Sequence, residues 1–515
     1  MKRKPKEILV FGFAITLGLL IMAPAQSAAK EKVFILGGPS PVDTLDAATS
    51  TLSESTMFTR NIFQGLLRFK FNSIELEGDL AKSWTVSTDG LVYTFKLRDH
   101  INFHKGFGKV TAHDVKFSIE RIMDPKTRSV YRGEVETIKE VQVVDDYTVK
   151  IILKERDAVF LTKCSRPRPV SIVSRKAVEK YGLDFGRNPI GSGPFVFQSF
   201  TREQIVVTAN KDYYEGPPRI DKVIYKVVPD MDTLIMALEK GDVQTGQFIP
   251  RDKAVFDRLR ATGVQVKNLD RGACLMLMFN PRVKPLEDLR IRQAIAYAID
   301  RDKIIEHVLG GTARKLNSLI PMGYFGHTEE GLKVFEYNPE KARKLMAEAG
   351  FPNGFEVTLD TFSSPGYLPG ATAIAGELGK VGIKCKLDVT DQPSWSKKVT
   401  GGTANLSLIL PVRIPDADFP LMNFFHSASF SPGTNLARYD KLDKEINGAR
   451  AELDPGKRKN MYHEIQKKLM EDLPFAPLFM MNYPTPYQPK VWAGLPDRDP
   501  VWGFDFYSLH FVDNK

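Results

Sequence analysis

Cysteine is scarce in this chain: Cys164, Cys274 and Cys385 are the only three in 515 residues, each more than a hundred positions from the next. That spacing excludes a disulfide framework and any C-x-x-C metal or redox pair. At most one bridge can form, and three buried thiols acting as small apolar residues is the simpler reading. The eight histidines are dispersed, and His100 and His104, four apart, fall in a strand-like stretch, so no helical ligand pair is present. Neither a metal nor a cofactor is expected. Catalytic signatures are missing as well: there is no H-E-x-x-H, no G-x-S-x-G elbow, no G-x-x-x-x-G-K-[ST] loop and no G-x-G-x-x-G behind a strand. Ile190-Gly191-Ser192-Gly193-Pro194 has Ile190 and Pro194 where a nucleophile elbow needs glycine, and reads as a tight backbone turn. Carboxylates are plentiful, but sequence does not place two of them across a cleft, so glycosidase chemistry is neither shown nor excluded.

Massed charge is absent too. The formal charge is +10, of which the first 29 residues carry a net three, and basic residues are scattered among acids. A nucleic-acid partner is therefore not expected, whereas a basic cleft for an anionic solute stays open. No internal repeat or low-complexity linker marks a lobe boundary. What is present is an ordinary globular composition, 43% hydrophobic, 26% charged and 10% aromatic, in a chain long enough for roughly two to four domains.

The N-terminus carries an export pattern. Basic residues from Lys2 to Lys6 precede a mostly apolar run from Ile8 to Met22, and small residues follow at Ala23-Pro24-Ala25 and Ser27-Ala28-Ala29. That order is a secretory signal peptide over residues 1–29, too short an apolar run to span a bilayer comfortably. No cysteine stands there to accept a lipid, and no later stretch is comparably apolar. A soluble product exported to a bacterial periplasm, without a lipid anchor, is the expectation.

Beyond the signal, strand-like and helix-like segments alternate, which predicts an α/β protein. Tyr93, Phe95 and Leu97 share one face at period two, and Asp89-Gly90 turns the chain after Trp84-Thr85-Val86, predicting a hairpin. A second hairpin reads as Val141 to Val144, Asp145-Asp146, then Tyr147 to Leu153. Helices are predicted at Ala112 to Met123, Met231 to Lys240, Leu289 to Ile299 with a restart at Asp300, Asn338 to Gly350, Pro369 to Val381 and Pro455 to Leu469. Asn338 followed by Pro339 is an N-cap and a proline at the first helical position, where its missing N–H costs nothing.

Several ordered blocks resemble the family 5 extracellular solute-binding proteins, the peptide and nickel type that serve ABC importers. They include Asp79-Leu80-Ala81-Lys82-Ser83-Trp84, Tyr93 to Asp99, Phe103-His104, Thr111 to Val115, Gly191-Ser192-Gly193-Pro194-Phe195, Asn210 to Tyr214, Phe279-Asn280 and Arg292-Gln293-Ala294 with Ala298-Ile299-Asp300. The likeness spans essentially the whole mature chain. It implies a type II periplasmic-binding-protein-like fold in which two lobes close over a central cleft. Lobe I would comprise 30–280 plus 484–515, with 60–187 as an extra subdomain, and lobe II would comprise 281–483. It also implies a monomeric receptor that captures a small-molecule solute and hands it to an ABC permease in the inner membrane. A secreted hydrolase with a two-lobe cleft is the alternative; it predicts a product, whereas a receptor predicts saturable binding alone. A nickel or haem carrier on this fold would need clusters that the chain order does not supply.

Peptide binders of the family take the solute ammonium on an aspartate in a stretch resembling Trp-x-x-Asp-x-x-Asp-Pro-Asp. Here that stretch is Leu410 to Asp418, and Arg413 stands where the acid would be. Such a reversal opposes an ammonium and favours a carboxylate or phosphate through a two-pronged guanidinium contact. The expected solute is thus a peptide or other small organic, anionic compound. Candidate ligand-binding residues are Arg413, Asp416, Tyr367 and Trp395, with Arg166 and Arg168 from the proline-stiffened loop Cys164 to Pro169. The alternative for Arg413 is a loop ion pair with Asp416 or Asp418, and for the aromatics, core packing.

Overall fold

Period-two burial organises the strands of the computed structural model, which describes residues 31–166, 170–364, 366–410, 414–430, 433–501 and 503–512. Strand β1 (Val33–Gly38) is followed by the helix Ser53–Ile62 and a short hairpin of β2 (Leu67–Phe69) and β3 (Leu76–Gly78). Next come β4 (Ala81–Val86), β5 (Val92–Leu97), β6 (Ile138–Asp145) and β7 (Thr148–Leu153), which pair antiparallel in the order β4-β5-β7-β6. Both predicted hairpins lie in this sheet: Trp84 faces Phe95 and Val143 faces Val149. Tyr93, Phe95 and Leu97 are its buried face. The helix Ala112–Met123 packs under it and starts on a capping box between Thr111 and Asp114.

Strands β8 (Phe195–Phe200), β9 (Gln204–Ala209), β10 (Lys222–Val227) and β11 (Thr245–Gly246) join β1 in a five-stranded sheet ordered β11-β1-β10-β9-β8. Strand β1 is parallel to both of its neighbours, β10 and β11, while β9 pairs antiparallel with β10 and β8. The turn Gly191-Ser192-Gly193 before β8 is a close approach: a Cβ on Gly191 would collide with the Ile62 carbonyl, and one on Gly193 with that of Asn61. His104 donates from Nε2 to the Gly193 carbonyl at 2.9 Å, and burial pushes its imidazole down to about 4, leaving it neutral. The turn is structural.

Two long strands, β12 (Gln265–Phe279) and, after β13 (Ala313–Lys315), β14 (Phe355–Phe362), β15 (Ile383–Thr390) and β16 (Leu406–Ile409), β17 (Phe475–Tyr487), dominate the remaining sheet, ordered β13-β17-β12-β16-β14-β15. Around it lie the helices Leu289–Ala298, Pro339–Glu348, Leu368–Gly379 and Pro455–Asp472. Asn338 caps its helix by accepting the Lys341 N–H at 2.9 Å. The last helix runs three residues past the expected Leu469 and stops at Leu473, held in a left-handed conformation with φ 48° because its fully buried side chain outweighs the backbone cost. Arg292 is buried and gives its guanidinium to the carbonyls of Leu286, Glu287, Asp472 and Leu473, a scaffold role. Asn280 fastens Gly402 and Ala404 through Nδ2.

Two large cores result. One gathers side chains from Phe34 to Leu269 and again from Trp492 to Leu509; the other gathers those from Ala273 to Met481. Trp492, which with β18 (Trp492–Ala493) and β19 (His510–Phe511) belongs to the C-terminal segment, meets Phe34 edge-on at 4.9 Å. Cys164, Cys274 and Cys385 are all unbridged, the first two buried.

Candidate functional site

Both connections between the cores belong to one antiparallel ladder. Along β12 the core changes between Leu269 and Ala273, and β17 runs alongside from Phe475 to Tyr487, with Tyr483 packing against both cores. The register slips at this point: Asp270 pairs with Asn482 and Ala273 with Met481, so Arg271 and Gly272 bulge out. Gly272 takes φ +60°, donates its N–H to Asp270 Oδ1 at 2.9 Å, and lies so close to the Tyr324 ring that a Cβ would overlap it.

The bulge aims Arg271 into the junction. Its side chain, only 4% exposed as a residue, stands 5.6 Å from the Tyr483 and Phe504 ring centroids. Burial lowers the guanidinium's proton affinity, with Asp499 and Tyr483 working the other way and Arg60 adding to the strain. A small cavity of about 30 Å³ adjoins it, lined by Gln247 and Phe248 after β11, by Pro484 and Thr485 of β17 and by Phe504. Across the junction Arg498 pairs with Asp270 at 2.8 Å and reaches the carbonyls of Met322 and Gly323. Arg251 donates to Thr312 Oγ1 and the Asn482 carbonyl.

Strands β14, β15 and β16 are parallel neighbours, so the segments leaving their C-terminal ends emerge along one edge, where α/β sheets offer their binding crevices. This edge brings Tyr367 and Trp395 together. Both pack on Phe362 at the end of β14, at 4.5 and 4.9 Å between ring centroids, and lie 5.9 Å from each other. Trp395 donates from Nε1 to Ser407 Oγ at 2.9 Å, which fixes the indole plane.

The segment after β16 behaves differently. Asp416 is buried, forms an isolated parallel bridge with Phe325, and meets Arg458 at 3.2 Å; burial pushes its carboxyl up to about 7 against the pull of that guanidinium. Arg458 in turn lies 4.2 Å over the Phe325 ring. From Asp418 a relay of buried charge continues through Arg450 at 3.9 Å to Asp157 at 3.7 Å and from Asp157 to Lys163 at 2.6 Å. The Ala158 N–H also donates to the Arg450 carbonyl at 3.0 Å. Asp157 and Lys163 belong to the side of the first core and Asp418 and Arg450 to that of the second, so this relay ties the two together away from the β12–β17 ladder.

Of the expected ligand residues, Tyr367 and Trp395 thus share one wall, Asp416 is engaged by Arg458, and Arg166 is buried in an ion pair with Glu134. Arg413 and Arg168 lie outside the described residues. Arg271, Asp157, Arg450 and Arg458 were not anticipated. A glycine interrupting a strand pattern just before the apolar run Ala273 to Phe279 was the available signal for the bulge at Arg271; the ion relay has no local signal.

Residues 75–432 match the bacterial extracellular solute-binding proteins, family 5 Middle. The chain belongs to this family. Family 5 proteins bind solutes and are not enzymes. The glutathione-binding protein GsiB of Escherichia coli O1:K1 / APEC is 29% identical over 488 residues, covering 90% of this chain and 92% of that protein. Among solved structures, the ABC transporter-associated periplasmic binding protein DppA from Helicobacter pylori in complex with peptide STSA superposes with a TM-score of 0.81 at 28% identity, covering 93% of this chain and 98% of that one. MoaA from A. tumefaciens R10 in complex with mannopinic acid does so with a TM-score of 0.80 at 30% identity, covering 94% and 100%. Like these family 5 structures, the chain has the α/β periplasmic-binding-protein fold. Among the described residues no helix is long and apolar enough to cross a membrane, and no group of three or more His, Cys, Asp and Glu could hold a metal ion.

Proposed function

We propose that this family 5 protein is a periplasmic receptor that takes a small, carboxylate-bearing organic solute into the junction between its two cores and hands it to an ABC permease of the inner membrane. The single observation carrying the solute class is Arg271: a guanidinium held at the junction by a bulge, walled by Tyr483 and Phe504, in surroundings that oppose its charge. An incoming carboxylate relieves that opposition through a charge-assisted, two-pronged contact. The named ligands of the relatives are of the same kind: glutathione, a peptide and mannopinic acid. Tyr367 and Trp395 supply an aromatic wall on the side of the second core, and Arg413, on the segment between β16 and Asp418, is a second cation for the same solute. The lobes are the two cores, hinged where β12 and β17 cross at Asp270 to Ala273 and Met481 to Tyr483.

Solute contacts from both lobes exist only when the lobes meet, so their free energy shifts the population toward the closed form. Binding without chemistry is the working step. Titration calorimetry with glutathione, the peptide STSA and mannopinic acid tests this: one of them, or a close analogue, saturates at one per chain, is recovered unchanged, and compacts the protein in small-angle scattering. Conversion of a bound compound to product, or Arg271→Gln binding an identified carboxylate as tightly as wild type, would refute the reading.

A further inference from the structure

A cavity of about 440 Å³ lies beside the junction. Its lining comes from the end of the helix Ser53–Ile62 and the β2–β3 hairpin, the loop after β9 at Tyr213 to Arg219, and the C-terminal segment from Pro496 to Ser508, and it borders the junction only at Arg498 and Asp499. Most of the charges in it are used up. Arg60 is paired with Asp499 at 2.7 Å, and Arg68 with Glu77 at 2.8 Å and Glu215 at 2.6 Å. Lys70 and Arg498 turn to Glu75 and Asp270, which do not line the cavity.

Two lining carboxylates remain without an ion-pair partner among the described residues, Asp79 and Asp505. Asp79 is buried and held by Gln64 Nε2 and, at 3.1 Å, by the Gly65 N–H; Asp505 accepts the Tyr507 N–H at 3.1 Å. Exposed Arg219 is the one lining cation without a carboxylate among the described residues. Two further observations point to an occupant. Aromatic rings share the lining, Tyr213 and Tyr507 edge-to-face at 5.2 Å, with Phe69 and Phe71, and Phe71 is 56% exposed. Gln64, itself 3% exposed, keeps its Oε1 buried with no hydrogen-bond partner.

Arg68 and Arg60 act on Asp79 and Asp505 from a distance, but neither carboxylate has a close ion pair among the described residues. Carboxylates so placed beside aromatic faces in a roomy, polar cavity are complementary to an organic cation, through charge-assisted hydrogen bonds and cation–π contact together. We propose that this cavity is a second ligand site, separate from the solute junction, for a small organic molecule bearing a primary ammonium group. The ammonium sits against Asp79 and Asp505, and the exposed Arg219 donates to a carboxylate where the ligand carries one. Desolvation raises the Asp79 carboxyl to about 6, opposed by Arg68 and Gln64; Glu215, Tyr213 and Tyr214 also face it, and Arg98 holds its backbone carbonyl. Ammonium binding at this site weakens by roughly tenfold from pH 7.5 to pH 5 as that carboxylate takes up its proton.

The test is titration of the mature protein with 1,4-diaminobutane and, separately, with 4-aminobutanoate, a pair that distinguishes a plain cation from a zwitterion. One or both bind at one per chain at pH 7.5, at least tenfold less tightly in Asp505→Asn and Asp79→Asn. Carboxylate solutes at the junction bind these variants as they bind wild type. Should Asp79→Asn fail to fold, because its carboxylate holds the Gly65 N–H, Asp505→Asn decides alone. No binding of either probe up to 10 millimolar, or binding that both variants retain, overturns the proposal; neither outcome bears on the junction.

Discussion

Replacing Gly272 by alanine is the sharpest test of how the bulge in β12 is built. Two costs add. Holding an alanine in the left-handed region that Gly272 occupies at φ +60° costs about 1–2 kcal/mol. The new methyl group must also displace the Tyr324 ring, which is buried at 6% exposure and packed in the second core, at an overpacking cost of about 1–3 kcal/mol. The expected loss is therefore about 2–5 kcal/mol, large against the total stability of a folded domain. Urea denaturation followed by circular dichroism measures it, and Tyr324→Ala separates the two parts. Tyr324→Ala is itself destabilising by about 3–5 kcal/mol, but in its background Gly272→Ala should cost only the backbone part, giving a favourable coupling of about 1–3 kcal/mol. A Gly272→Ala protein within 0.5 kcal/mol of wild type, or no coupling to Tyr324, would refute the argument that the bulge is set by this contact.

Arg450→Met breaks the relay from Asp418 to Asp157 and leaves buried carboxylates uncompensated, so a destabilisation of about 3–5 kcal/mol is expected; thermal unfolding with an unchanged midpoint would contradict it. Asp416, with its carboxyl raised to about 7, contributes stability that is complete below the unfolded value near 3.8 and is lost as pH rises through 7. Relative to Asp416→Asn, wild type should therefore lose stability between pH 4 and pH 7.5, and a constant difference in midpoint over that range would exclude the shift. Asn280→Ala removes both bonds to Gly402 and Ala404 and should cost about 1–3 kcal/mol by urea denaturation. Trp395→Ala should weaken capture of the solute at least tenfold by calorimetry while the 1,4-diaminobutane titration stays as in wild type.

Local pattern carried most of the elements. Period two placed β5 and β7, and caps and apolar stripes placed the helices Ala112–Met123 and Met231–Lys240 to the residue and the start of the one capped by Asn338, which ends at Glu348 short of the expected Gly350; Gly191 and Gly193 read as a tight turn, which the structure shows to be a close backbone approach. The site was less legible because its residues meet through long-range contacts. Asp157 and Arg450 are nearly three hundred positions apart, and nothing next to either one marks the other as its partner. Asp416 was visible as a carboxylate in the segment Leu410 to Asp418, but its engagement depends on Arg458, a helix residue whose neighbours in sequence describe a solvated face. Tyr367 and Trp395 were named separately; what joins them is Phe362, at the end of a strand whose parallel pairing no local pattern shows.

The enclosure of Phe34 by Trp492 has a bearing on the order of folding. Strand β1 emerges from the ribosome first, yet its apolar face is covered by a ring that is made nearly four hundred and sixty residues later, and Phe506 and Leu509 follow it into the same core. The core around β1 is therefore complete only once the C-terminal segment has been made, so the two ends of the described chain close it together.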